Sequence, residues 1–180
     1  VHLDTFPLSD ESGLQLASGC AYPGLVTPAS LADDPAALLH AAEGIDGVAH
    51  NELACLTSSV NGGEDVALAQ TAFVNAIAVR PADWALLAAR GSALVWSPRS
   101  NVSLYGDTAR VTEAARLGVQ IALGTDWTVS GSSSLLRELA CADAWNRERL
   151  GGFFTDEDLW LMATRNVADA SGLLGRLGLL

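Results

Sequence analysis

A chain of 180 residues, 49% of them hydrophobic, is long enough for one domain with a real core. Ten basic side chains against 21 acidic ones leave a formal net charge of -11, which argues against nucleic acid or an anionic membrane surface as a partner, since both demand a positive face. No apolar run is long enough to span a bilayer, Val1 to Asp4 lacks the start of a signal peptide, and Cys20, Cys55 and Cys141 fit no zinc or redox spacing. The three thiols are therefore expected to be reduced and partly buried, in a cytoplasmic setting.

In chain order, Val1 to Leu8 reads as one strand and Leu14 to Ala17 as a second, short one. Cys20 to Val26 is an apolar run broken by Pro23-Gly24, and residues 27–35 are loop-like in composition. Ala36 to Ala41 reads as a buried strand or a short helix. Asp46 to Leu56 is helical, with Val48, Leu53 and Leu56 as its apolar positions, and Asn61-Gly62-Gly63 is a turn. Ala72 to Val79 reads as a strand buried on both faces. Pro81 opens a helix that Gly91 ends. Ala93 to Trp96 is the next strand, and Ser97 to Asn101 a loop. Asp107 to Leu117 is a helix stopped by Gly118, and the strand to Leu123 follows. Leu135, Leu136, Leu139, Ala142 and Trp145 recur at helical spacing. Thr155 caps a further helix through Met162, and Asn166 to Leu174 adds a shorter one. Strands alternating with helices of about ten residues imply βα units and a parallel sheet.

Each strand of that series carries a polar residue at or near its carboxyl end: His40, Asn75, Ser97 and Asp126. This is the edge at which parallel α/β folds hold their ligands. Taken singly, each has a plain structural reading. An Asp after a strand often caps the next turn, and a lone His is more often hydrogen-bonded in place than a ligand. Together, with Glu43 three residues after His40, they read as a site. Imidazole and carboxylate on one rim suit a zinc-type ion, and a Glu beside it suits proton transfer.

The order H-A-A-E-G, F-V-N-A-I-A-V, W-S-P-R-S-N and L-G-T-D-W-T-V-S-G-S resembles the second half of an amidohydrolase-superfamily enzyme, nearest the chlorohydrolase and cytosine/guanine deaminase-like branch. The C-terminal A-T-R-N-V-A-D-A-S-G-L resembles the helix that closes such barrels, so the likeness covers roughly Leu38 to Gly178. The resemblance implies an α/β fold of the (β/α)8 TIM-barrel type. Only part of the barrel is expected here, over residues 36–180, with residues 1–26 as a remnant of a small β domain and lead-in to the first barrel strand. It implies a divalent metal, zinc or alternatively iron, that activates water against C–N or C–Cl bonds. His40 matches the metal-binding histidine of the fifth strand, Glu43 the proton-shuttling acid, and Asp126 the eighth-strand aspartate that touches the metal or its water. Ser97 and Asn101 match the seventh-strand loop that supports the pocket, and Trp127 is expected to line it.

Two departures stand against full activity. Asn75 occupies the sixth-strand position where the family usually has a histidine, and an amide carries no proton near neutral pH. The first-strand His-x-His is missing: P-G-L-V at residues 23–26 is followed by T-P-A-S-L, and His2 offers only one histidine elsewhere. A complete barrel also needs about 250 residues. The first reading is thus a metal-dependent hydrolase acting on a small, cyclic substrate, with Glu43, Asp126 and Asn75 at the chemistry. A non-catalytic or truncated binding module is the second, and a flavodoxin-like open sheet the third. Partial barrels leave strand edges exposed, so a homo-oligomer or a longer chain is expected.

Overall fold

The computed structural model describes residues 1–4, 7–9 and 11–178. Its centre is a parallel sheet of β1 (His2–Leu3), β2 (Ala37–Ala41), β3 (Thr71–Asn75), β4 (Ala93–Trp96) and β5 (Ile121–Leu123), lying side by side in chain order. Leu38 pairs with Ala72, Ala72 with Ala93, and Val95 with Ala122, so each strand continues the register of the one before. A doubly wound sheet reverses its strand order at a switch point. This one never does, which removes the flavodoxin-like alternative and gives the singly wound wall of a barrel.

Successive side chains of a strand face opposite ways, and the two faces differ sharply. Leu39, Phe73, Leu94, Trp96, Ile121 and Leu123 point into the main core. There they meet Leu53 and Leu56 of α1 (Gly47–Leu56), Trp84 and Leu87 of α2 (Pro81–Arg90), and Ala114 of the short α4 (Val111–Arg116). The opposite face is built from smaller residues, Ala72, Ala93 and Ala122 beside Leu38 and Val95. Ala170 and Val167 of α7 (Arg165–Ala170) cover part of it.

Most elements start and stop for local reasons. Asp46 caps α1 by accepting from the N–H groups of Val48 and Ala49 at 3.0 Å. Pro81 sits in the first turn of α2, and Gly91 ends it in the left-handed conformation. Thr155 and Asp158 form a reciprocal capping box on α6 (Asp156–Ala163), and Ser134 caps α5 (Leu135–Arg149). The sequence reading extended β3 to Val79, but the strand stops at Asn75, where the backbone turns left-handed at Asn75 and Ala76.

Other differences concern residues 1–35 and the stretch after β4. Ser97–Asn101, expected as a loop, is the start of α3 (Pro98–Tyr105), with Pro98 in its first turn. The run Cys20 to Val26, expected to lead into a first barrel strand, forms no strand. Neither does Leu14 to Ala17. Cys20, Tyr22 and Val26 instead pack into the helix-side core. His2–Leu3, in the segment expected as a small β remnant, lies parallel to β2 at the sheet edge. Residues 5 and 6 of the strand expected over Val1 to Leu8 lie outside the described residues.

Cys20 and Cys55, expected as thiols, form a disulfide, while Cys141 is free. Spacing along the sequence carried no sign of this pairing, because the two are 35 residues apart, with β2 and most of α1 between them. Disulfides of this kind are a feature of chains from oxidising compartments, so the cysteines no longer support a cytoplasmic setting. No helix among the described residues is long and apolar enough to cross a membrane.

Candidate active site

The carboxyl ends of β2, β3, β4 and β5 bring His40, Glu43, Asn75, Ser97, Asn101 and Asp126 to one end of the sheet. Four non-glycine residues there hold left-handed backbone: Ala42 (φ 55°), Asn75 (68°), Ala76 (50°) and Asp126 (53°). Such conformations cost free energy for residues with a Cβ and collect at sites where surrounding contacts enforce them. Here the loop after β3 is stitched to the loop after β2. Ile77 and Ala78 both donate their N–H to the Ala42 carbonyl, at 3.0 and 3.1 Å.

His40 is held from behind. Its Nδ1 donates to the Asp4 carbonyl at 2.6 Å, which leaves Nε2 facing Asp126 Oδ1 at 3.8 Å, an ion-pair distance. Burial alone would lower the His40 pKa, but the Asp126 carboxylate, the charge of Glu43 and the Asp4 carbonyl together raise it above 6.5. Asp126 shows the converse: burial favours its neutral form, yet His40 and a 2.5 Å hydrogen bond from Ser100 Oγ hold its carboxyl below the usual range. Ser100 in turn lies 2.7 Å from Ser130 Oγ.

Glu43 is governed by desolvation. Burial pushes its carboxyl up to about 7, opposed by His40 and helped by Asp126. Its backbone N–H donates to Glu52 Oε2 at 3.2 Å, and burial pushes Glu52 up to about 7 as well. Tyr105 of α3 feels the same carboxylates, and burial with their charges takes its phenol to about 12. A carboxylic acid half ionised near neutral pH is suited to carrying protons.

Asn75 is fully buried and donates its amide N–H to Glu43 Oε1. Its carbonyl accepts from Asn101 Nδ2 at 2.9 Å. Asn101 therefore supports the site through Asn75. Ser97 is buried, and its Oγ has no hydrogen-bond partner among the described residues. It lies against Gly124, where a Cβ would come within 2.6 Å of Val95 and 3.1 Å of the Ser97 hydroxyl. Gly131 is needed for a similar reason, since a side chain there would run into the Thr125 carbonyl. Trp127, expected to line a pocket, is 61% exposed.

Sequence reasoning passed over Asp4, Ser100, Glu52 and Tyr105. Ser100 had a usable signal. With Pro98 read as the first helical residue, Ser100 falls on the first turn beside Asp126. Asp4 and Glu52 act from elements far away in sequence, and nothing local marks them.

His40 and Asp126 have the donor chemistry of metal ligands, and the Asp4 carbonyl orients the imidazole as outer partners of ligating histidines do. Two donors are fewer than the three protein ligands of a catalytic zinc. Among the described residues no cluster of three or more His, Cys, Asp or Glu side chains is arranged to hold a metal ion.

No protein-family model matches the chain, and no curated protein matches it either. Solved structures do. A triazine hydrolase variant is similar over 83% of this chain and 34% of its own, at 22% identity and a TM-score of 0.67. An adenosine deaminase from Xanthomonas campestris with bound zinc is similar over 79% of this chain and 34% of its own, at 22% identity and a TM-score of 0.61. A guanine deaminase from E. coli is similar over 91% of this chain and 39% of its own, at 19% identity and a TM-score of 0.64. The chain thus spans little more than a third of the length of each. All three are amidohydrolase-superfamily enzymes, and this chain has the fold of part of their barrel.

Proposed function

We propose that the chain carries the histidine-and-carboxylate half of a hydrolytic site for C–N or C–Cl bonds in small ring compounds. Amino-substituted nitrogen heterocycles are the substrate class that follows from the triazine, adenosine and guanine named for the similar structures. The observation that carries this reading is the meeting of His40, Asp126 and Glu43 at one end of the sheet, with the Glu43 carboxyl at about 7. A divalent ion, zinc or alternatively iron, held by His40 and Asp126 would supply the Lewis acidity that makes water a nucleophile at neutral pH.

The chain's own residues do the rest. Asp126, fixed by Ser100, stays ionised and orients what lies before it. Glu43 takes a proton at its carboxyl and returns it to the leaving group. Asn75 fixes the Glu43 carboxyl and adds a hydrogen-bond donor, but no proton of its own. The short ligand set supports a second reading, a non-catalytic binding module, and equally a site completed by a second copy or a longer chain.

Zinc titration of the chelator-treated chain, followed by calorimetry, separates these. Weak binding is expected, at least about tenfold weaker still in His40→Ala or Asp126→Ala, since each removes half of the donor pair. Unchanged affinity in both variants overturns the ligand assignment. One equivalent of zinc retained through dialysis against a mild chelator overturns the view that the set is incomplete. For any preparation that turns over a ring substrate, Asp126→Ala should abolish turnover without unfolding the chain.

A further inference from the structure

Behind Glu43 runs a line of buried hydrogen bonds of which the hydrolytic reading uses only the near end, at Asn75 and Asn101. Trp96 Nε1 lies 2.7 Å from Thr108 Oγ1, Thr108 Oγ1 lies 3.0 Å from Asn101 Oδ1, Asn101 Nδ2 lies 2.9 Å from Asn75 Oδ1, and Asn75 Nδ2 meets Glu43 Oε1. Trp96, Asn75 and Asn101 are fully buried and Thr108 is 5% exposed, so no bulk water competes for these groups.

The direction of the line follows from chemistry, not from how amide atoms are assigned. An indole N–H only donates, so Thr108 must accept from Trp96. The Thr108 hydrogen then needs an acceptor, and the Asn101 carbonyl is the one in reach. That turns the Asn101 N–H toward Asn75, whose carbonyl must accept, and this in turn leaves the Asn75 N–H facing Glu43. Reversing Asn101 would strand the buried Thr108 hydrogen and set two amide oxygens against each other. Reversing Asn75 would face two NH2 groups and set its oxygen against the Glu43 carboxyl. Both are expensive arrangements away from water.

We infer that Asn101, Thr108 and Trp96 are positioning residues for Glu43, because their one-way hydrogen bonds lock the Asn75 amide with its N–H toward Glu43 Oε1. The inference rests on Glu43 as the proton carrier. Oε1 is then committed as an acceptor, and a proton carried by Glu43 sits on Oε2. The lock also stabilises the ionised form, since a donor held on a carboxylate favours its charge. The other ionisable groups around Glu43 are His40 at the end of β2, Asp126 after β5, Glu52 on α1 and Tyr105 on α3. None of them belongs to the line.

The test follows the Glu43 carboxyl carbon by NMR against pH in the whole chain labelled with carbon-13 glutamate, the signal being the one lost in Glu43→Gln. Thr108→Val removes the hydroxyl at nearly constant shape, and Thr108→Ser keeps it. The midpoint is expected to be the same in the unsubstituted chain and in Thr108→Ser. In Thr108→Val it should rise by about one unit, a tenfold change in the ratio of protonated to ionised carboxyl. A folded Thr108→Val that titrates as the unsubstituted chain does overturns the inference. Should Thr108→Val fail to fold, the unsubstituted chain decides. The Asn75 side-chain N–H signals must then move with the Glu43 titration and stop moving in Glu43→Gln, and signals that stay still overturn the lock. Neither measurement needs metal or substrate, so a failed zinc titration and a failed lock are separate results.

Discussion

The Glu52 carboxyl accepts the backbone N–H of Glu43, and burial is the largest influence on the carboxyls of both residues. Glu52 is 6% exposed and belongs to α1, outside the proposed proton path. Its carboxyl holds the turn that presents Glu43, while its folded pKa stands at about 7 against an ordinary 4.5. The sign of the linkage follows. Below about pH 4.5 both folded and unfolded chains hold this proton, and the contribution to stability is complete. Between there and about pH 7 the unfolded chain releases it first, so stability falls, and above pH 7 the loss is complete. A shift of this size corresponds to about 3 kcal/mol. Glu52→Gln keeps an oxygen to accept from Glu43 and has no charge to bury. Urea unfolding should therefore show Glu52→Gln close to the unsubstituted chain at pH 5 and more stable at pH 8. Equal loss of stability at both pH values would mean that Glu52 acts only through shape.

Elements differ in how far local sequence determines them. The strand Ala93–Trp96 and the helix between Pro81 and Gly91 were legible because an apolar run, an opening Pro and a closing Gly all act within a few residues. His40, Glu43, Asn75 and Asp126 were legible because strand ends in a parallel sheet converge by construction. The helix α3 was not, since S-P-R-S-N has the composition of a turn and Ser97 makes no side-chain cap. What starts it is Glu138, fully buried on α5, which accepts the Arg99 N–H at 2.9 Å from 39 residues away. The Cys20–Cys55 bond was equally hidden, because pairing is a tertiary fact. It ties the irregular stretch before β2 to the last turn of α1, and one turn earlier Asn51 Nδ2 donates to the Gly19 carbonyl at 2.9 Å. A bridge across a sequence separation of 35 constrains the unfolded chain by about 3 to 4 kcal/mol in the chain-entropy description. Reduction, or a Cys20→Ser and Cys55→Ser pair, should lower the urea midpoint accordingly and loosen residues 11–35 first. Unchanged hydrogen exchange over those residues after reduction would count against the tether.

At the scale of the whole molecule, an arc of barrel wall has two lateral edges, and these are not alike. At β5 the Ile121 carbonyl accepts from Asn166 Nδ2 at 2.8 Å, and Gln120 bonds Asp169 at 3.0 Å, so α7 occupies much of that edge. At β1 the N–H groups of His2 and Asp4 both reach inward to β2, at 2.9 and 3.0 Å. Leu3 therefore turns its N–H and C=O outward by the alternation of a strand, and its side chain is 57% exposed beside an equally exposed Val1. All ten basic residues of the chain are arginine, and the first of them is Arg80, so no lysine guards this edge against pairing. What opposes association is the net charge of -11, which two copies would bring together. Added salt screens that repulsion and leaves the strand edge and its apolar side chains untouched. The 180-residue chain is thus expected to self-associate at low micromolar concentration, and to do so more strongly at 0.5 M than at 0.05 M salt. Leu3→Lys, which places a charge on the edge without touching the core, should shift the chain to monomer at the same thermal midpoint. Light scattering coupled to size exclusion reads both. A sharp 18.7 kDa monomer at every salt concentration would show that the β1 edge is not an interface, and association unaffected by Leu3→Lys would move it to another surface.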